Sequence, residues 1–116
     1  MPPREPRALL DDALAQIDDL SAKVNSGSLA ALLGDRDLQA IFERRFEVLG
    51  ESLRRLERVD SAMFARIVDA RLAVDVRNFI SHGYDGMNHR ALRATAANDL
   101  VPMRQSIMRE VEQCGG

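Results

Sequence analysis

Apolar side chains recur every three or four residues along most of this chain, which is the spacing of one face of an α-helix. The first series runs from Leu10 to Val24, with aspartates mostly on the other face. It predicts an amphipathic helix whose first turn can hold Pro6. Residues 25–28 (NSGS) are a turn signal, after which the helical pattern resumes briefly at residues 29–33.

A second long helix is predicted from residue 38 to residue 56, with either Asp35 or Asp37 as its cap. Gly50 lies in the middle of this helix, where glycine costs about 1 kcal/mol relative to alanine. We therefore expect a neighbouring helix to pack closely against it. Arg45 falls inside the apolar stripe, which leaves three roles open. It can extend to solvent, pair with a carboxylate such as Glu51, or mark a face that meets another chain.

The second half of the chain predicts three more helices. Asp60-Ser61 caps a third helix that continues through Ile80, and Gly83 is placed to end it. A loop at residues 84–88 precedes a short fourth helix over residues 89–97. Asn98-Asp99 then caps a last helix, which has Pro102 near its start.

These elements predict an all-α fold, an antiparallel up-and-down bundle of four to five helices. Runs of β-branched residues are absent, so little material is left for strands. The 116 residues suit one domain, 1–116, with residues 1–5 and 114–116 frayed.

The charge balance argues against one class of partner. The net charge is −2, whereas a protein that grips duplex nucleic acid along its whole surface is usually basic. Residues 61–95, however, carry five arginines against three aspartates. Arginine suits bidentate contact with phosphate, although genomic base composition can also enrich it.

The location of the protein is predicted from what the sequence lacks. No apolar run is long enough to span a bilayer, and the first residues lack the apolar core of a signal peptide. The one cysteine, Cys114, cannot form an internal disulfide, which fits a reducing compartment. We expect a cytoplasmic protein.

The side chains with useful chemistry are concentrated in residues 77–84 (RNFISHGY), which hold one of two histidines and the only tyrosine. Asn78 and His82 are four apart and share a helix face, so the asparagine side chain can orient the imidazole. Arg77 and His82 are about 140° apart around the axis. They converge only if the chain turns back after the helix or if a second copy meets the first.

An imidazole with a pKa near neutrality and a guanidinium that holds phosphate suit metal-free cleavage of RNA. The sequence has no cluster with metal-ligand spacing and no phosphate-binding glycine loop, so we expect neither a metal nor a cofactor. A second interpretation stays open, in which His82 only caps a helix and Tyr84 is a packed ring.

Residues 77–84 reproduce the R-x4-H-x-Y motif of the HepT-like branch of the HEPN superfamily. Residues 41–52 resemble that family's second long helix with its Gly-Glu pair, and residues 98–103 resemble its last helix. This chain lacks the tryptophan common in the family's fourth helix, where Leu92 or Ala94 stands instead. The difference affects the expected substrate preference more than the expected fold.

The resemblance implies an HEPN-like bundle that acts as a metal-independent ribonuclease toxin of a type II/VII-like toxin–antitoxin pair. It implies a homodimer with both motifs at the interface, and an RNA substrate. By position, Arg77 and His82 would be the catalytic pair and Asn78 their polar support. Tyr84 would be the residue that the partner, a minimal nucleotidyltransferase (MntA-like) antitoxin, modifies by transferring AMP.

Two other functions are compatible with the sequence. The first is a non-catalytic helical partner that presents RNA or a nucleotide to a nucleotidyltransferase, and the mildly acidic charge favours it slightly. The second is a structural dimerisation bundle, which would leave the polar residues of the motif unexplained.

Overall fold

The structure is a computed structural model of the chain, and it describes residues 4–83 and 86–114. Every regular element in these ranges is helical. The α-helices are α1 (Arg4–Ser26), α2 (Leu29–Leu33), α3 (Arg36–Val59), α4 (Ser61–Arg66), α5 (Ala70–Ser81), α6 (His89–Ala94) and α7 (Leu100–Cys114). Within the described ranges, none of these helices combines the length and apolarity needed to cross a membrane.

The long helices form an antiparallel bundle in which α3 packs against both α1 and α5, and α7 packs against α1. Ion pairs at the two ends of the α1–α3 contact show the direction: Arg55 reaches Glu5, while Arg45 reaches Asp19. The core lies between these helices and is mostly aliphatic. Its largest fully buried side chains include Leu10, Ile17, Leu20, Phe42, Phe46, Leu49, Leu53, Leu56, Met103 and Ile107. The predicted all-α bundle is confirmed.

The helix starts follow the predicted caps closely in the first half of the chain. Asp35, rather than Asp37, caps α3, because its carboxylate accepts hydrogen bonds from the N–H groups of Asp37 and Leu38. The first helix begins at Arg4, two residues before Pro6. Residues 1–3 and 115–116 lie outside the described residues, so the expected fraying of the two ends stays a prediction.

Arg45 pairs with a carboxylate, although not with the one suggested by the sequence. Its Nε lies 2.7 Å from Asp19 Oδ2 on α1. Glu51 is six residues along the same helix and therefore about 240° around its axis, out of reach. Lys23 also donates a hydrogen bond to Asp19. Together Lys23 and Arg45 hold the pKa of Asp19 below its ordinary value, against a smaller opposite effect of burial.

The predicted third helix is wrong in one respect, because the chain breaks it into α4 and α5. Asp69, just before α5, has a left-handed backbone with φ of 59°. In the break, the Val68 N–H donates a 3.0 Å hydrogen bond to Ser106 Oγ, which itself donates to the Met103 carbonyl. A buried hydroxyl from α7 thus replaces a bond that a continuous helix would supply. The apolar spacing continues across the break, so the sequence pattern does not reveal it.

The predicted cap at Asn98-Asp99 is also wrong. Helix α6, capped by Asn88, runs directly into a π-helical turn over Thr95–Asp99 and then into α7. The Leu100 N–H bonds to the Thr95 carbonyl, five residues earlier. Pro102 gives the reason, since it has no N–H to offer the carbonyl four residues before it and its ring crowds that carbonyl. The wider turn accommodates the ring without ending the helix.

Candidate active site

Helices α3 and α5 approach each other most closely at Gly50. A Cβ atom built on this residue would lie 2.2 Å from the Cβ of Arg77 and 2.6 Å from the carbonyl oxygen of Ala73. Only a residue without a side chain allows this approach. The expectation of close packing at Gly50 is therefore confirmed, and the neighbouring helix is the one that carries Arg77.

The guanidinium of Arg77 is held from two sides. Its Nη1 donates a 3.0 Å hydrogen bond to the side-chain oxygen of Asn78, and its Nη2 lies 3.3 Å from Glu51 Oε1. Arg54 approaches the same carboxylate oxygen at 3.5 Å. The side chain of Arg77 is 25% exposed. Gly50 therefore brings α5 close, and the next residue, Glu51, fixes the direction of the arginine.

His82 follows the last residue of α5 and is exposed. Its ring Nδ1 lies 2.5 Å from the main-chain carbonyl oxygen of Asn78, which also accepts the His82 main-chain N–H at 3.1 Å. A carbonyl can only accept, so Nδ1 carries the proton in this contact and, in the neutral ring, the lone pair lies on Nε2. Gly83 then ends the helix as expected, with φ of 65° and its N–H bonded to the Ile80 carbonyl.

Asn78 contacts both predicted catalytic residues, but with different atoms. Its side-chain amide serves Arg77, and its main-chain carbonyl holds the imidazole of His82. The sequence led us to expect the amide at the imidazole, because a four-residue spacing puts the two side chains on one face. The helix ends there, however, and the ring turns onto the carbonyl. Tyr84, the fourth residue predicted for the site, lies outside the described residues.

A cleft of about 290 Å³ extends along α3 between α1 and α5. Its charged lining residues are three arginines and three carboxylates: Arg44, Arg55, Arg77, Asp12, Glu47 and Glu51. The hydroxyls of Ser52 and Ser81 add hydrogen-bonding capacity. This volume is at the lower end of the range for small-ligand sites, and it suits a group the size of one nucleotide. Arg77 lines the cleft, so an anion that occupies it can reach the guanidinium.

Sequence reasoning missed two polar contacts around the site. Glu51 was considered as a partner of Arg45 and as half of a Gly-Glu pair but not as a partner of Arg77, although the glycine in mid-helix was a usable signal of where a neighbouring helix would lie. His89, at the start of α6, has Nε2 2.6 Å from Glu43 Oε2 on α3. These two residues are 46 positions apart, and no local pattern links them. This pair ties the segment after the motif back to the bundle.

The described residues contain no group of three or more histidine, cysteine, aspartate or glutamate side chains placed to hold a metal ion.

A family model described as ribonuclease HepT-like matches residues 10–110. The matched range includes Gly50, the lining of the cleft on α3 and α5, and the whole of residues 77–84. No curated protein and no solved structure matches the chain.

Proposed function

We propose that this chain, which belongs to the ribonuclease HepT-like family, is a metal-independent endoribonuclease and the toxin of a type II/VII-like toxin–antitoxin pair. The resemblance carried by residues 77–84 is confirmed at the level of the family. One observation supports the catalytic assignment most directly. A guanidinium and an imidazole are both fastened to Asn78, and the guanidinium belongs to a residue that lines a cleft of nucleotide size.

The chemistry assigned to this pair is internal phosphoryl transfer. The 2′-hydroxyl of a ribose attacks the adjacent phosphorus, and His82 accepts its proton on Nε2, the nitrogen that carries the lone pair. The new bond joins O2′ to phosphorus while the bond to O5′ breaks, and O5′ takes a proton from water while His82 returns its proton to solvent. The products are a 2′,3′-cyclic phosphate and a 5′-hydroxyl. Arg77 stabilises the extra negative charge on phosphorus in the transition state.

The working form in this proposal is a homodimer with both motifs at the interface. Phe79 lies between Arg77 and His82 in sequence and is 42% exposed. An exposed aromatic ring within the motif is typical of a surface that another chain covers. The substrate is RNA of the cytoplasm, where the single cysteine fits the reducing conditions.

Neutralisation in this proposal takes place at Tyr84, to which a minimal nucleotidyltransferase (MntA-like) antitoxin transfers AMP. The modification adds a bulky anion two residues after His82. Such an anion competes with RNA for Arg77 and for the space of the cleft. The family motif alone supports this part of the proposal.

The test is cleavage of single-stranded RNA by purified chain in the presence of a chelator. Arg77→Ala and His82→Ala should each lower the rate at least about 100-fold, because each removes a group needed in the transition state. Arg71→Ala is the matched control, since Arg71 lies on the same helix but pairs with Glu57 instead. Cleavage at the unaltered rate in either test variant, with the fold intact by circular dichroism, would contradict the assignment.

A second candidate function is a non-catalytic helical partner that presents RNA or a nucleotide to a nucleotidyltransferase. It is favoured by the balance of charge in the cleft, where three carboxylates offset three arginines and weaken attraction for RNA. Intact mass after expression with and without the nucleotidyltransferase separates the two functions. An AMP addition that maps to Tyr84 and requires the partner supports the toxin. Unmodified chain in both preparations, together with no toxicity, supports the binding partner.

A further inference from the structure

Arg44 differs from the other arginines of the cleft in having no hydrogen-bond or ion-pair partner in the part of the chain that the structure describes. Within the described side chains, five arginines make neither a hydrogen bond nor an ion pair: Arg36, Arg44, Arg58, Arg90 and Arg109. Arg44 is the one of these five that lines the cleft containing Arg77. The cleft therefore has one cation that is exposed and not neutralised by contact with a carboxylate.

The position of Arg44 follows from the antiparallel packing of α3 and α5. Glu47 of α3 lies opposite Ser81, with 3.4 Å between their oxygens, and Glu51 lies opposite Arg77. Arg44 is one turn before Glu47 on the same face, so it lies level with the chain just after Ser81. Along α3 it is about 10 Å from the residue that holds Arg77. The two arginines therefore mark two points along one cleft, with the end of α5 between them.

Of the three carboxylates that line the cleft, Glu51 is the one that forms ion pairs within the described residues. Glu51 is shared by Arg77 and Arg54, and Glu47 accepts a hydrogen bond from Ser81. An anion that approaches Arg77 must compete with Glu51, whereas an anion that approaches Arg44 breaks no existing ion pair. Among the three arginines of the cleft, Arg44 is therefore the one that a phosphate can contact without displacing a carboxylate.

We propose that Arg44 binds a backbone phosphate of the RNA, next to the phosphate that Arg77 and His82 act on. This role rests on the proposed ribonuclease function and assigns a second anion-binding position to the same cleft. A guanidinium contacts a phosphate through paired N–H groups, and such a contact positions the strand without reading its bases. The substrate class assigned to this cleft is single-stranded RNA, because a volume of about 290 Å³ takes a group the size of one unpaired nucleotide.

The experiment measures binding of a fluorescent single-stranded RNA oligonucleotide by anisotropy over a series of salt concentrations. All variants carry His82→Ala, so that the RNA is not cut. Adding Arg44→Ala should weaken binding about tenfold at low salt, as expected for one charge-assisted contact. It should also lower the slope of log Kd against log salt by about 0.7, the value for one phosphate on a single strand.

Arg58→Ala is the matched control, because Arg58 is exposed and unpartnered on the same helix but lies outside the cleft. It should change neither the affinity nor the slope. Arg44→Lys keeps the charge and should retain the slope with part of the affinity. Arg44→Glu should weaken binding more than Arg44→Ala. Thermal unfolding should be the same in all of them, since Arg44 has no hydrogen bond or ion pair to lose among the described residues.

Cleavage by the chain with His82 intact, assayed in parallel, separates the two proposals. If that chain cuts RNA while Arg44→Ala and Arg58→Ala bind alike, the role of Arg44 is overturned and the ribonuclease stands. If it does not cut RNA but Arg44 still sets the salt slope, the ribonuclease fails and the phosphate contact stands. If no variant binds RNA, the role of Arg44 is overturned, and the ribonuclease is overturned as well when the chain with His82 intact does not cut RNA.

Discussion

Replacing Gly50 with alanine is the sharpest test of how α3 and α5 meet. The new Cβ would lie 2.2 Å from Arg77 Cβ and 2.6 Å from the Ala73 carbonyl oxygen. Both distances are far below van der Waals contact. Neither neighbouring atom lies at the flexible end of a side chain, so no change of rotamer relieves the clash. The two helices have to separate, and the separation moves Arg77 away from Glu51.

The expected loss of stability has two opposing parts. Overpacking in a well-packed region costs about 1–3 kcal/mol, and contacts this short indicate the upper end, about 3 kcal/mol. Alanine in mid-helix recovers about 1 kcal/mol relative to glycine. The net destabilisation is therefore about 2 kcal/mol. At roughly 4 °C per kcal/mol for a chain of this size, Tm falls by about 8 °C.

Urea unfolding followed by circular dichroism measures this loss, with Gly34→Ala as the matched control. At Gly34 a new Cβ would lie 3.5 Å from the Ala30 carbonyl oxygen, an ordinary contact, and φ is −98°. The control should stay within about 0.5 kcal/mol of the unaltered chain. If Gly50→Ala is as stable as that chain or more stable, helix propensity has outweighed the contact, and the close approach at Gly50 is refuted.

Ser106→Ala should destabilise the fold by about 1–3 kcal/mol in urea unfolding, because it leaves the main-chain N–H in the break between α4 and α5 unsatisfied. Exposed Ser61→Ala is its control, and equal midpoints for the two would count against the bridge. Asp19→Asn should cost stability at neutral pH, because hydrogen bonds from its lysine and arginine partners lower the pKa of Asp19 and favour its charged form. That stability is lost as pH falls through the lowered pKa. The Tm values of the variant and the unaltered chain should therefore converge below about pH 4. A constant difference in Tm down to about pH 2 would argue against the ion pair. Asn78→Ala should lower kcat for RNA cleavage about tenfold by freeing Arg77. An unchanged kcat would show that the amide does not position the arginine.

The helical bundle could be predicted because apolar spacing along one helix is a local property. The interruptions could not. The break before Ala70 depends on the hydroxyl of Ser106, which accepts a hydrogen bond from the Val68 N–H. These two residues are 38 positions apart in the sequence. The π-helical turn arises from Pro102, whose effect falls on the residues before it. In both places the apolar spacing continues, so periodicity predicts an unbroken helix or a cap.

The grouping of the candidate site residues could be predicted where these residues are contiguous in sequence. Arg77, Asn78 and His82 lie within six residues, and their contacts form at one helix end. The support from Glu51 depends on the register of α3 against α5, which is set where Gly50 meets Arg77. Sequence indicated that some helix would pack there but not which side chain it would bring. The homodimer, the antitoxin and the modification of Tyr84 stay predictions.

The carbonyl of Asn78 that fixes the imidazole belongs to the main chain, and every amino acid supplies the same group. No side-chain exchange at position 78 removes it, so an alanine scan cannot register its contribution to holding His82. The effect of a substitution at position 78 should therefore depend only on whether the new side chain still holds Arg77. The histidine itself becomes vulnerable through a different kind of change, one that unwinds the last turn of α5, such as a proline introduced at Ser81 or Ile80.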